Sequence, residues 1–269
     1  MPLLFGFGHP PRAALRTLLM QSLPAFLSPA ETAFFFDFDG TLVDLASTPD
    51  GVIVPPTLLD TLAELRYLSR GAVAVVSGRG IDSIDGFLGM FDLPVAGLHG
   101  AERRDAAGDV MRLGFDDARL VRMERALAEL VTLHPGMLLE IKGASLALHY
   151  RNAPLAEPVA REAAERLVGE HADAYVLQPG KMVYEIKPKN VDKGRALAAF
   201  LDEPPFAGRI PLFAGDDLTD EKGFAVVNAR GGLSIKVGEG DTSARARIES
   251  VDAFRAWLAS LVAASRGNS

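Results

Sequence analysis

Unbroken apolar runs sit near both ends of this chain, while alternating and helically spaced patterns fill its middle. Residues 33–36 and 72–76 are wholly apolar, and 94–98 nearly so. Such short runs, bounded by turn residues, predict strands buried on both faces. Between the first two, Leu58, Leu62, Leu65 and Leu68 recur at helical spacing. A shorter helix is predicted over 81–88. Strand and helix in alternation, with apolar strands, imply a parallel sheet covered on both sides. The same pattern returns late, as helices over 192–201, 220–227 and 251–263 and strands over 210–214 and 233–237.

The middle of the chain reads differently. Strands are predicted over 110–113, 137–141, 145–150, 175–178 and 182–186, and amphipathic helices over 119–133 and 157–170. In the first helix Leu120, Met123, Leu127 and Leu130 form a core stripe. Leu146, Leu148 and Tyr150 alternate with Ser145, His149 and Arg151. That period of two predicts an antiparallel sheet with one solvated face. The order is best explained by a Rossmann-like parallel-sheet core over 31–103 and 188–269, interrupted by an inserted α+β domain over 104–187. Linkers fall near 99–104 and 187–190. Residues 1–30 read as an N-terminal extension with a short helix over 12–22.

Composition narrows the class. With 269 residues and 48% hydrophobic content, the chain is long and apolar enough to build real cores. A net charge of −7 argues against a nucleic-acid partner, which needs a basic face. The absence of cysteine excludes disulfides, thiol catalysis and thiolate metal sites. The N-terminus lacks the charged, apolar and small-residue order of a secretory signal, and no apolar run is long enough for a bilayer. The expectation is a cytoplasmic protein without a membrane partner, of unspecified oligomeric state.

Three predicted core strands end in polar residues: Asp37-Phe38-Asp39-Gly40-Thr41, Ser77-Gly78-Arg79, and Gly215-Asp216-Asp217-Leu218-Thr219-Asp220. Lys193 opens a helix between the last two. In open α/β sheets, sites form at the carboxyl ends of strands. Carboxylates this close repel unless a cation intervenes, and magnesium favours oxygen ligands. The set suits phosphoryl transfer. Asp37 can attack phosphorus, and Asp39 can protonate the leaving oxygen and then deprotonate water. Asp37, the Asp39 backbone carbonyl and Asp216 can hold Mg2+. Ser77 and Lys193 can bind the phosphoryl oxygens. Each piece alone has a plain alternative. Ser77-Gly78-Arg79 is equally an ordinary turn, Lys193 a solvated lysine, and Asp216 or Asp217 a helix cap. Their joint occurrence carries the argument.

In that order the motifs resemble those of the haloacid dehalogenase superfamily of phosphatases, with Asp37 to Thr41 as the first, Ser77 the second, Lys193 the third, and Gly215 to Asp217 with Asp220 the fourth. The insertion is similar to the large α/β cap of one subclass. Within it, the chain resembles the trehalose-6-phosphate phosphatase family. The resemblance rests on Gly97-Leu98-His99-Gly100-Ala101-Glu102, on Glu140 to Ser145, on His149-Tyr150-Arg151, on Gly180 to Pro188, on Asn190 to Gly194 and on Gly215 to Glu221. It implies an α/β fold whose core carries an inserted α+β cap domain. The implied activity is magnesium-dependent hydrolysis of trehalose 6-phosphate, through an aspartyl-phosphate, to trehalose and phosphate. Other implied substrates are sucrose phosphate and mannosyl-phosphoglycerate, and a phosphomutase or a non-catalytic sugar-phosphate binder are the remaining alternatives.

By the same resemblance Glu140, Lys142 and Glu185 contact the sugar hydroxyls or phosphate. Carboxylates that accept from vicinal hydroxyls and an ammonium near a phosphomonoester suit that role, although Glu140 and Lys142 also read as a cross-strand surface pair. Thr41, Gly78 and Arg79 are further candidates for substrate binding, and Asp217 and Asp220 for support behind the metal ligands. Met182 and Tyr184 read as packing residues, and His149 and Arg151 as structural or supporting. One departure stands out: Asp192 precedes Lys193 where the family usually carries asparagine.

Overall fold

The computed structural model describes residues 23, 27–46, 48–113, 117–180 and 182–266. The helix expected over 12–22 and Lys181 lie outside them. The first half runs β1 (Thr32–Phe36), α1 (Pro56–Leu68), β2 (Val73–Val76), α2 (Ile81–Leu88), β3 (Val95–Gly97), β4 (Glu102–Arg104), β5 (Val110–Arg112) and α3 (Ala118–Leu133). Then follow β6 (Leu138–Lys142), β7 (Ser145–His149), α4 (Glu157–Gly169), β8 (Tyr175–Gly180) and β9 (Val183–Pro188). The chain closes with α5 (Lys193–Leu201), β10 (Ile210–Gly215), α6 (Glu221–Ala229), β11 (Leu233–Val237), β12 (Ala246–Ile248) and α7 (Val251–Arg266).

An eight-stranded sheet in the order β12-β11-β10-β1-β2-β3-β4-β5 forms the core. Its strands are parallel from β12 to β3, and β4 and β5 add antiparallel. The central strand β1 is buried throughout. Phe34 and Phe36 face α1 and α7, where they meet Leu58, Leu62, Leu65, Phe254 and Leu258. Ala33 and Phe35 face α5 and α6, against Leu197, Phe200 and Phe224. A period of two thus sends alternate side chains into two separate cores, which is why the run is apolar without a break.

The inserted part folds on its own four-stranded antiparallel sheet, β6-β7-β9-β8. Helices α3 and α4 cover one face with Leu120, Met123, Leu127, Ala160, Ala164 and Leu167. Tyr184 stacks on Tyr150 in this core and donates to Glu157, and Met182 packs beside them, as packing residues should.

Besides the unforeseen edge strand β12, three details depart from the sequence expectation. The strand near 110 pairs with β4 on the edge of the core sheet, not with the inserted sheet. The stretch expected as a linker, 99–104, contains β4, whose polar residues hide a strand held by side chains. Arg104 clasps Asp85 at 2.7 Å through both terminal nitrogens, and buried Glu102 accepts the Ile81 N–H at 2.6 Å. The third concerns the polar face of the inserted sheet. Ser145 and Ala147 on β7 are buried, not solvated, because that face turns toward the ends of the core strands. Among the described residues no helix is long and apolar enough to cross a membrane.

Candidate functional site

Parallel strands of the core sheet deliver their C-terminal ends to one edge. Asp37 follows β1 directly, and its N–H donates to Ala214 O of β10 at 2.9 Å. Three residues on, Gly40 turns back with φ +75°. A Cβ there would stand 2.1 Å from Asp216 Oδ2, so only glycine lets the loops after β1 and β10 meet. Thr41 then points into the core. It is fully buried, its Oγ1 has no partner, and it does not line the cleft described below. Thr41, expected to bind substrate, thus has its side chain apart from the cleft: the turn that brings Asp39 outward carries this side chain inward.

Lys193 stands at the first residue of α5, only 2% exposed, with Nζ 2.9 Å from Asp37 Oδ1 and 2.7 Å from Asp220 Oδ1. The solvated-lysine alternative is excluded by that burial. Burial works against its charge, but Asp37 and Asp220 outweigh it and raise its pKa. Asp192, the departure noted above, is the helix cap: its side chain accepts the Arg195 N–H at 2.9 Å. Asp217 caps the next turn by accepting from Thr219 N–H at 2.7 Å. Asp220 closes a capping box with it and accepts the N–H groups of Asp216 and Asp217, each at 3.0 Å. Gly215 is required here, since a Cβ would meet Asp220 Cγ at 2.3 Å. Lys236 of β11, itself buried, donates to the Asp216 carbonyl.

Asp37, Asp216 and Asp220 bring carboxylate oxygens within 4.8 Å of one another. Burial pushes Asp37 up to about 7, with Lys193 opposing and Asp216 reinforcing. Burial likewise raises Asp216 to about 6 and, with Asp37 beside it, Asp220 to about 7. Three carboxyls thus crowd around the ammonium of Lys193, with that of Lys236 on the Asp216 carbonyl. This donor set fits a divalent, oxygen-preferring cation. The carboxylate of Asp39 is not in the group. Arg79 holds it instead, with Nε 2.6 Å from Oδ2 and Nη2 2.8 Å from Oδ1.

Asp37, Asp39, Arg79, Lys193 and Asp216 line a cleft of about 510 Å³ together with Ser77, Gly78, Asp217 and Thr219, with Asp220 buried behind them. Ser77 is buried, its N–H on Ala96 O at 2.8 Å and its Oγ accepting the Arg79 N–H at 3.1 Å. The opposite wall is the inserted sheet, which contributes Glu140 and Lys142. Register explains their company. Glu140 lies across from Ala147, which lies across from Glu185, which lies across from Gln178. All four therefore share one sheet face, with Lys142 and Ser145 in the adjacent row. Glu140 accepts from His149 at 2.9 Å, and Lys142 Nζ lies 3.4 Å away. The hydrogen bond from His149 and the charge of Lys142 outweigh the effect of burial and lower the Glu140 pKa. Glu185 lines a small recess beside Lys142, Ser145 and Gly78. Glu140 and Lys142 thus face the core residues across the main cleft, while Glu185 lines the small recess beside it.

His99 was not singled out from sequence, although its Gly-Leu-His-Gly motif was. It borders the main cleft, the small recess and a further cavity of about 550 Å³. Its ring packs on Gly78, where a Cβ would meet Cε1 at 2.8 Å. Both Leu98 (φ +50°) and His99 (φ +58°) adopt the left-handed conformation, and His99 Nδ1 is buried without a partner. Strain of this kind gathers at functional sites. Burial, with Lys193 and Lys187 nearby, pushes the imidazole down to about 4, so it is neutral.

The trehalose-phosphatase family model matches residues 35–253. The trehalose-6-phosphate phosphatase of Escherichia coli is 44% identical over 229 residues, 85% of this chain and 86% of that protein. A probable trehalose-phosphate phosphatase of Sinorhizobium fredii is 45% identical over 234 residues, 85% of this chain and 87% of its own length. A crystal structure of a trehalose-6-phosphate phosphatase related protein superposes with a TM-score of 0.69 at 26% identity, covering 88% of this chain and 99% of that one. The matched span runs from β1 through the inserted sheet into α7, and the chain belongs to the trehalose-phosphatase family.

Proposed function

We propose that this chain hydrolyses trehalose 6-phosphate to trehalose and inorganic phosphate, in the cytoplasm and with Mg2+ as its cofactor. The observation that carries this reading is the shared cleft, in which the Asp37 carboxylate and the sheet residues Glu140 and Lys142 face one space. The relatives named above supply the substrate by their own names.

Asp37 is the nucleophile. Its carboxylate oxygen bonds to phosphorus as the bond from phosphorus to the sugar oxygen breaks, and Asp39 gives that oxygen a proton. In the second half-reaction water attacks the aspartyl-phosphate, and Asp39 takes the proton back. Lys193 orients Asp37 through its 2.9 Å contact and, with Ser77, binds the phosphoryl oxygens. Asp37, the Asp39 backbone carbonyl and Asp216, with Asp217 and Asp220 behind them, would hold Mg2+, which would supply positive charge against the negative charge of the phosphate. Glu140, Lys142 and Glu185 hold the sugar, and the inserted segment 104–187 closes over it as a cap, excluding water. Gly78 and Arg79 border the same space.

Asp37→Asn should abolish turnover while melting like the parent. A phosphate-release panel over sugar phosphates should show trehalose 6-phosphate far ahead of sucrose phosphate and mannosyl-phosphoglycerate. Turnover in Asp37→Asn refutes the mechanism, and a different winner in the panel refutes the substrate.

A further inference from the structure

Arg79 is braced on every side. Its guanidinium lies over the rings of Phe87 (5.2 Å) and Phe38 (5.7 Å), and Nη1 is 3.5 Å from Ser83 Oγ. Its backbone N–H is held by Ser77 Oγ, and its carbonyl accepts the Leu98 N–H at 2.9 Å. The side chain is 14% exposed, and its fork meets both oxygens of one carboxylate, that of Asp39. A planar donor held against two adjacent aromatic rings defines position and plane for its acceptor, which a lysine at the same place cannot do.

We infer that Arg79 is a positioning residue, which acts on the reaction through Asp39 and not by binding the sugar phosphate. The inference rests on the proposed role of Asp39 in moving protons. Asp39 gives its proton to the sugar oxygen and regains one from water, so the ion pair opens and re-forms once per turnover. Arg79 sets the place to which the carboxylate returns.

The test is a double-variant cycle on the full chain, with release of radiolabelled phosphate from trehalose 6-phosphate as the readout and a thermal melt for each variant. Asp39→Asn should lose roughly a hundredfold or more in kcat, the scale of general acid–base catalysis. Arg79→Gln should lose about tenfold to a hundredfold in kcat with KM within about threefold of the parent. Placed on Asp39→Asn, it should cost less than about threefold more, because a residue that works through its partner has nothing left to lose. Arg79→Lys, which keeps the charge and guards against a folding defect, should fall between Arg79→Gln and the parent. Multiplicative losses in the double variant, or a raised KM at unchanged kcat, overturn the positioning role alone. Near-normal turnover by Asp39→Asn overturns the proton-transfer reading and the inference with it.

Discussion

Replacing Lys193 by Met tests how the buried charges at the strand ends are balanced. In the cation-free protein Lys193 holds Asp37 and Asp220, which are 4% and 0% exposed. Both carboxyls already titrate at about 7, against an ordinary 3.8. Without the ammonium, the least costly state of each is the protonated one. At pH 8, a proton held on a group that would otherwise ionise at about 7 costs about 1.4 kcal/mol, so two such groups cost about 3 kcal/mol. That matches the lower end of what a broken buried ion pair costs, roughly 3–5 kcal/mol. The sign follows from the protons bound. Between pH 4 and 7 the parent's folded state holds protons that the unfolded chain has released, so its stability falls as pH rises, and the fall ends near pH 7. In Lys193→Met the fall continues through pH 8. The two proteins should therefore melt at similar temperatures at pH 6 and separate by roughly 6–12 °C at pH 8. Thermal melts in EDTA at the two pH values measure this. A variant that melts within about 2 °C of the parent at pH 8 would show that the network does not carry the charge balance described.

Two further outcomes follow from the backbone. Gly40→Ala should push Asp216 aside, since the added Cβ would stand 2.1 Å from Oδ2, and it also strains φ +75°; the Mg2+ concentration for half-maximal activity should rise about tenfold or more, and an unchanged Mg2+ requirement would argue against Asp216 as a ligand. His99→Val should lose about 1–2 kcal/mol more stability than His99→Asn, because asparagine accepts the left-handed backbone and a β-branched side chain does not; equal melting temperatures would remove strain from the account.

The alternating strands and helices, and the motifs at their ends, were legible because they depend on local pattern. The helices over 56–68 and 118–133 and the central strands β1, β2, β10 and β11 follow apolar spacing closely. Asp37, Ser77, Lys193 and Asp216 converge because parallel strands end at one edge. Other features depend on contacts no spacing encodes. The strand at Glu102 to Arg104 exists through pairings with Asp85 and the Ile81 N–H, so its own residues look like a linker. Thr41 faces inward because of one glycine turn, and His99 enters the site through two left-handed residues in succession. Asp192, a motif change from sequence, turns out to cap a helix, while Asp217 takes the capping place its sequence position also offered.

Thr32 on β1 pairs with Ile210 on β10, so the central strand waits for a partner 178 positions further along (210 − 32). At translation rates of about 5–20 residues per second, that gap lasts roughly 9 to 36 seconds. The antiparallel sheet over 138–188, by contrast, draws all its strands from one continuous stretch and can assemble on the ribosome during that interval. Until β10 emerges, Phe34, Phe35 and Phe36 remain without one flank, which makes the nascent first third the part most in need of chaperone protection.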